Sequence, residues 1–158
     1  MDPPRHQPVL VEERSDTPAA QGLLSAFVAT IQALYPDFDP DAGPSATPQD
    51  FADPHGAFFV AYLNDRPVGC CGVKLLDERV AEIKRLWVAP EGRGSGLGRR
   101  LLRACEAKAV EMGACVARLD TGDRQREALA LFASNGYRQI DDYNANPSAS
   151  YWFERPLP

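Results

Sequence analysis

The chain has 158 residues, enough for one domain with a packed core and too few for two. Its net charge of −5 argues against nucleic acid as a partner, because phosphate binding needs a basic surface. No apolar run reaches the roughly 18 residues of a membrane span, so no membrane partner is expected. The first seven residues, MDPPRHQ, lack a signal-peptide pattern, and we therefore expect a cytoplasmic protein.

The cysteines and histidines show no pattern of a metal site or a covalent nucleophile. No metal-ligand spacing connects the four cysteines, and each has apolar neighbours: Cys70, Cys71, Cys105 and Cys115. We expect them to be buried free thiols. His6 and His55 are assigned to the terminus and to a loop, where neither would activate a serine or cysteine.

The first elements are a short strand and an amphipathic helix. Val9-Leu10-Val11 gives residues 8–14 the character of a strand. Thr17-Pro18 is typical of a helix start, with a hydroxyl cap followed by proline in the first turn. Apolar residues then recur at helical spacing until Pro36, which ends the helix: Leu24, Phe27, Val28, Ile31 and Leu34.

Residues 36–56 hold five prolines and five aspartates with almost no apolar periodicity. They predict a long loop, with a short helix near residues 49–52. After it, residues 57–63 and 68–76 read as strands, separated by the turn residues 64–67. A further turn leads into a third strand at Val80, so we expect an antiparallel meander. A meander before the glycine-rich segment argues against a Rossmann fold.

Residues 81–104, AEIKRLWVAPEGRGSGLGRRLLRA, predict a strand, a glycine-rich turn and a helix. Pro90 ends the strand, and an apolar stripe continues from Leu97 to Met112. Glycine permits close approach of a ligand to the backbone, and the first N–H groups of a helix lack intrahelical partners. The segment therefore predicts a site for an anion.

The remaining elements complete a mixed sheet. Gly113 ends the long helix, and residues 115–120 form a strand that must run parallel to the strand before the helix. Residues 127–134 read as a short helix. Residues 137–140 and 150–154 read as the last two strands, so the chain belongs to the α/β class.

The glycine pattern distinguishes between kinds of anion site. A dinucleotide fingerprint needs a third glycine where Arg99 stands, and no Walker lysine follows. Arg/Gln-x-x-Gly-x-Gly/Ala is satisfied by Arg93, Gly96 and Gly98. With the strand before it and the later segment ALALFASNGYRQI, this pattern resembles the Gcn5-related N-acetyltransferases. A nucleotide-binding protein is the weaker alternative.

The resemblance implies an acyl-CoA N-acyltransferase fold: a mixed, mostly antiparallel central sheet of about seven strands with flanking helices, forming a single domain over residues 1–158. It implies acetyl-CoA as cosubstrate, no metal, and direct transfer to a primary amine of a small molecule or peptide in a ternary complex. A degenerate acyl-CoA-binding or sensing module is the alternative, and a homodimer remains open. The implied CoA-binding residues are Leu86, Val88, Arg93, Gly94, Ser95, Gly96, Leu97, Gly98 and Arg99.

Glu82 aligns with the general base of the family's histone-acetylating branch. Strand alternation would place it on the same side as Lys84 and Leu86. The alternative is an exposed strand glutamate paired with Lys84 or with a neighbouring strand. The chain departs from the family in two ways: Phe132 stands where many members have a proton-donating tyrosine, and the usual asparagine after the fifth strand is missing.

The resemblance also assigns the 36–56 loop to the wall of the acceptor site. Its acidic residues would attract a cationic amine, which is our hypothesis for the acceptor. The alternative is a solvated, mobile loop whose acidic side chains face away from the site: Asp37, Asp39, Asp41, Asp50 and Asp53.

Overall fold

The computed structural model describes residues 6–44 and 46–158, which form one seven-stranded sheet with three α-helices. Residues 1–5 of the MDPPRHQ segment and Ser45 of the 36–56 loop lie outside the described residues. The strands are β1 Val9–Glu12, β2 Gly56–Leu63, β3 Arg66–Leu75, β4 Val80–Val88, β5 Val116–Thr121, β6 Arg138–Ile140 and β7 Tyr151–Pro156. The helices are α1 Pro18–Leu34, α2 Leu97–Glu111 and α3 Arg126–Ser134.

The strands follow the order β1-β2-β3-β4-β5-β7-β6 across the sheet. Only β4 and β5 pair in parallel, and α2 forms the crossover between them. The meander β2-β3-β4 and the mixed, mostly antiparallel sheet are therefore confirmed. No helix within the described residues is long and apolar enough to cross a membrane.

Helix α1 begins and ends where the sequence predicts. The Thr17 hydroxyl accepts a hydrogen bond from the Ala20 N–H at 3.2 Å, and Tyr35 leaves helical geometry immediately before Pro36. The short helix predicted near residues 49–52 is wrong. That segment forms successive turns, in which the Asp50 N–H donates to the Thr47 carbonyl at 3.0 Å.

Two apolar layers enclose the sheet. Helix α2 packs Leu97, Leu101 and Leu102 against one face, and α1 packs Ala20 and Leu23 near the opposite face. Residues of β3 are buried on both faces, which explains its continuous apolar run. The expectation of four buried thiols holds for three cysteines, while Cys115, just before β5, is exposed.

Strand β4 separates from β5 halfway along its length. The two strands pair only from Val80–Val116 to Glu82–Arg118, although β4 continues to Val88. On its other side β4 carries one extra residue relative to β3, and Arg85 has φ +61° at this bulge. Glu82 and Lys84 lie on the same side of β4, as expected. The expectation is wrong for Leu86, because the extra residue at the bulge reverses the alternation of side chains after Lys84.

Candidate active site

Two neighbouring cavities open where β4 and β5 separate. The glycine-loop cavity, about 350 Å³, runs from Leu86 and Val88 to residues 92–99. The strand-end cavity, about 170 Å³, lies against residues 83–86 and 119–122 and under residues 38–44. The two cavities share a wall, so a ligand that fills the first would reach the edge of the second. The residues of this wall are Phe27, Ile31, Leu86, Gln125 and Ala128.

The glycine loop has the backbone geometry of an anion site. Gly94 and Gly96 have φ near +77° and +75°, a conformation that residues with a Cβ rarely adopt. Within the described part of the chain, no protein acceptor bonds the N–H groups of residues 94–99. These N–H groups lie at the start of α2, where the helix dipole adds partial positive charge. The loop can therefore bind a pyrophosphate through its backbone.

Eight of the nine residues predicted to bind CoA line the glycine-loop cavity; Ser95 is not among its lining residues. The Ser95 hydroxyl instead donates to the Gly92 carbonyl at 2.7 Å, which holds the loop in its turn. Arg93 likewise donates from Nε to the Val88 carbonyl at 3.0 Å. Both side chains thus fix the loop backbone.

Of the arginines that follow the loop, Arg99 is exposed at the cavity rim. Arg100 donates to the Pro8 carbonyl at 2.7 Å, and Arg103 pairs with the buried Glu106 at 2.6 Å. The side chains of Arg100 and Arg103 therefore stabilise the fold. Arg99 remains the helix arginine available to a phosphate.

Glu82 is buried, with 1% of its surface exposed, so the exposure assumed in the alternative is wrong, whereas the pairing with Lys84 is confirmed. Its Oε1 lies 3.2 Å from Lys84 Nζ. Its Oε2 accepts from the Tyr143 hydroxyl at 2.7 Å and from Asn144 Nδ2 at 3.1 Å. Glu82 lines neither cavity, and its role as a base stays a prediction.

Asp120 is a carboxylate that the sequence analysis did not single out. It lies near the end of β5 and lines the strand-end cavity. Its Oδ2 accepts from Asn144 Nδ2 at 2.6 Å and from Asn146 Nδ2 at 3.2 Å. Asn144 therefore contacts both Glu82 and Asp120. The sequence contained one signal that could have identified Asp120: it is an acidic residue near the end of a predicted strand, and a predicted helix follows that strand.

Arg85, at the β4 bulge, also lines the strand-end cavity. Its guanidinium lies over the Phe51 ring, 5.8 Å from the ring centre, and Nη2 is 3.4 Å from the Ala46 carbonyl. Burial lowers the pKa of this guanidinium. The sequence analysis considered Arg85 only for its place in the strand alternation.

The five aspartates of the 36–56 loop do not all line the strand-end cavity. Asp39 lines it, whereas Asp50 accepts from the Thr47 N–H at 2.7 Å. Asp53 lies 3.7 Å from Lys108 Nζ, near the end of α2. The idea of a five-carboxylate field at the acceptor site is therefore wrong for Asp50 and Asp53.

A clasp between α1 and the turn after β5 holds one side of the strand-end cavity. The Tyr35 hydroxyl accepts from the Arg124 N–H at 2.6 Å and donates to Asp123 Oδ1 at 3.0 Å. Arg124 Nη1 also donates to the Leu34 carbonyl at 2.7 Å. Burial, the largest effect, raises the pKa of Tyr35, so its hydroxyl stays protonated at neutral pH.

Comparisons with known proteins identify the family of this chain. The acetyltransferase (GNAT) family matches residues 24–137. The IAA acetyltransferase of Azospirillum brasilense is 34% identical over 113 residues, covering 69% of this chain and 73% of its own length. The aminoalkylphosphonate N-acetyltransferase of Salmonella typhimurium is 26% identical over 120 residues, covering 73% and 78%.

Among solved structures, a GNAT family acetyltransferase from Elizabethkingia anophelis with acetyl-CoA bound has the same fold. Its TM-score is 0.67 at 20% identity, and the alignment covers 96% of this chain and 99% of that one. The family match begins within α1 and ends at Tyr137, just after α3, so it includes the glycine loop. This chain belongs to the acetyltransferase (GNAT) family.

Proposed function

We propose that this protein transfers the acetyl group of acetyl-CoA directly to a primary amine of a small molecule or peptide. The observation that carries the proposal is the shared wall between the glycine-loop cavity and the strand-end cavity. One cavity offers an anion site and an apolar channel, and the other offers carboxylates. A cosubstrate and an acceptor would therefore meet where β4 and β5 separate.

The residues that line the glycine-loop cavity suit the parts of acetyl-CoA. The pyrophosphate would bind the N–H groups of residues 94–99, with Arg99 at the rim. The pantetheine arm would lie along Leu86 and Val88, in the opening that the end of the β4–β5 ladder leaves. Acetyl-CoA, when bound, supplies a thioester carbonyl as the electrophile.

Transfer forms a C–N bond between the amine and the acetyl carbon, breaks the C–S bond, and releases the CoA thiolate. At neutral pH on the order of one alkylamine in a thousand is unprotonated, so a base must accept the amine proton. Asp120 is the better-placed candidate because it lines the strand-end cavity; Glu82 would act only through intervening groups. Phe132 offers no proton, so water would protonate the thiolate.

Release of free CoA thiol from acetyl-CoA, measured with a panel of primary amines, tests the proposal. We expect amine-dependent thiol release and a saturable acetyl-CoA Kd by calorimetry. The absence of a tyrosine at Phe132 favours one alternative, a module that binds acetyl-CoA without turnover. That module would bind CoA and release no thiol with any amine, whereas a nucleotide-binding protein would bind NAD or ATP in place of CoA.

A further inference from the structure

Arg85 has no counter-charge within residues 6–44 and 46–158, and it lies between two cavities: it lines the strand-end cavity and also a neighbouring cavity beside Phe51 and Ala46. Among the described residues, Arg85 forms no ion pair with a carboxylate, and its Nε has no hydrogen-bond partner. Its contact with the Ala46 carbonyl, at 3.4 Å, is long for a hydrogen bond. Arg85 is half-buried, with its Nε fully enclosed, and enclosing part of a guanidinium without an acidic partner is costly.

The surroundings of Arg85 hold the side chain in place but leave hydrogen-bonding capacity. The residue has φ +61°, a strained backbone conformation for a non-glycine residue, and such strain concentrates at functional sites. Phe51 contacts the guanidinium from one side, 5.8 Å from ring centre to Cζ. Aromatic contact uses the face of the group, and the N–H donors at its edge remain suited to a planar or tetrahedral anion.

The described residues that line the strand-end cavity include two cations, Lys84 and Arg85, and of these only Arg85 has no carboxylate partner. Lys84 is already paired with Glu82 at 3.2 Å. The carboxylates on the cavity wall are Asp39 and Asp120, and neither forms an ion pair with Arg85. The cavity therefore has an acidic part, suited to an ammonium group, and a basic part, suited to an anion.

We propose that the acceptor of this protein is an amine that also carries an anionic group, a carboxylate or a phosph(on)ate, and that this group binds Arg85. The inference rests on the proposed function and names the acceptor class of the same site. It replaces the cationic acceptor expected from the loop aspartates. Arg85 is then a specificity-determining residue, which contacts the acceptor away from the reacting nitrogen.

Matched acceptors test the charge preference directly. β-Alanine and β-alaninamide differ in the anionic group, 2-aminoethylphosphonate replaces the carboxylate with a phosphonate, and 1,3-diaminopropane replaces it with an aminomethyl cation. We expect wild-type kcat/KM to be highest for one of the two anionic amines and lowest for the diamine. Whichever of the two anionic amines has the higher kcat/KM shows whether the site prefers a carboxylate or a phosphonate. Equal or higher kcat/KM for the neutral or cationic amines would overturn the inference.

Substitution of Arg85 tests the residue. We expect Arg85→Gln to lower kcat/KM for the anionic amines about 10- to 100-fold, the range for a lost hydrogen bond to a charged group. The neutral amide and the acetyl-CoA Kd should be unaffected. Arg85→Lys should retain part of the preference, because it keeps the charge without the guanidinium fork. Arg79→Gln, an exposed arginine in the β3–β4 turn, is the matched control and should change nothing.

Two further outcomes separate this inference from the proposed function. A loss in Arg85→Gln that is equal for anionic and neutral amines would assign Arg85 a structural role and overturn the inference alone. If no amine releases thiol, the proposed function fails, and calorimetry of 2-aminoethylphosphonate with CoA present then tests the anion site at Arg85 by itself. Binding that Arg85→Gln abolishes and Arg79→Gln retains would support the anion site; no binding, or binding independent of Arg85, would overturn it.

Discussion

Glu82 lies opposite Arg118 in the last paired step between β4 and β5, and beyond this pair the two strands separate. Glu82 therefore lies at the closed end of the opening, where the described structure surrounds its carboxylate with three donors. Asp120, two residues after Arg118, lies on the wall of the cavity. The two carboxylates are connected through the Asn144 amide, but only Asp120 lines the cavity.

The first prediction distinguishes these two carboxylates as bases. We expect Asp120→Asn to lower kcat/KM about 100-fold near pH 7, because the amide cannot accept the amine proton. The deficit should shrink as pH rises and free amine becomes abundant. Glu82→Gln should have a smaller effect on kcat/KM, once the folded fraction is measured by circular dichroism. A larger, pH-dependent loss in Glu82→Gln than in Asp120→Asn would instead make Glu82 the base.

The second prediction concerns backbone access at the glycine loop. A Cβ on Gly98 would make ordinary contacts, 3.4 Å from Leu131 Cδ2 and 4.0 Å from Val88 Cγ2, so the fold should accept Gly98→Ala. We expect Gly98→Val to raise the acetyl-CoA Kd by 10-fold or more, because its branches occupy space beside the loop amides. Gly98→Ala is the control, since the family pattern permits alanine there. Gly96→Val is less informative, because φ +75° strains any side chain at that position.

Calorimetry of acetyl-CoA with each folded variant measures this prediction. Equal affinities of wild type and Gly98→Val would exclude the loop as the pyrophosphate site.

The third prediction concerns a buried ionic network away from the cavities. Glu106 accepts from Arg155 Nη1 at 2.9 Å and from the Tyr137 hydroxyl at 2.8 Å, in addition to its pair with Arg103. We expect Arg155→Met to lower the free energy of unfolding by about 2 kcal/mol, because it removes one charged hydrogen-bond donor of the buried Glu106 carboxylate while Arg103 remains. Arg138→Met, which breaks an exposed pair with Glu154, should cost less than about 1 kcal/mol. Urea unfolding measures both variants, and equal losses would contradict this account.

The fourth prediction concerns alkaline stability. Burial, and then the hydrogen bond to Glu13, raises the pKa of Tyr62 to about 12 in the folded protein. The unfolded value is near 10, so the folded state favours the neutral phenol. This stabilising contribution is fully present below pH 10 and is lost as pH rises from 10 towards 12. Tyr62→Phe cannot ionise and should lose less of its Tm over that interval than wild type.

Burial also raises the pKa of Tyr143, so Tyr62→Phe should reduce the alkaline loss and not abolish it. Thermal unfolding at intervals between pH 9 and 12 gives the comparison. Parallel Tm curves for wild type and Tyr62→Phe would show that Tyr62 ionisation does not contribute.

Local patterns were sufficient for most of the secondary structure. The Thr17 cap, Pro36 and the apolar spacing define α1, because all three act within a few residues of the helix. The same kind of local signal failed near residues 49–52. There the Asp50 side chain bonds the Thr47 N–H, which stabilises a single turn that does not continue as a helix.

The sequence by itself determined the family and predicted the positive φ angles of the glycine loop, because that loop is made from consecutive residues whose backbone geometry depends on their own φ angles. Only the tertiary structure decided which charged residues line the strand-end cavity. Arg85 reaches the strand-end cavity because a bulge shifts the alternation of β4, and Asp120 joins it from β5. Glu82 is surrounded by side chains some sixty residues distant in sequence, Tyr143 and Asn144, since packing determines which groups a buried carboxylate meets.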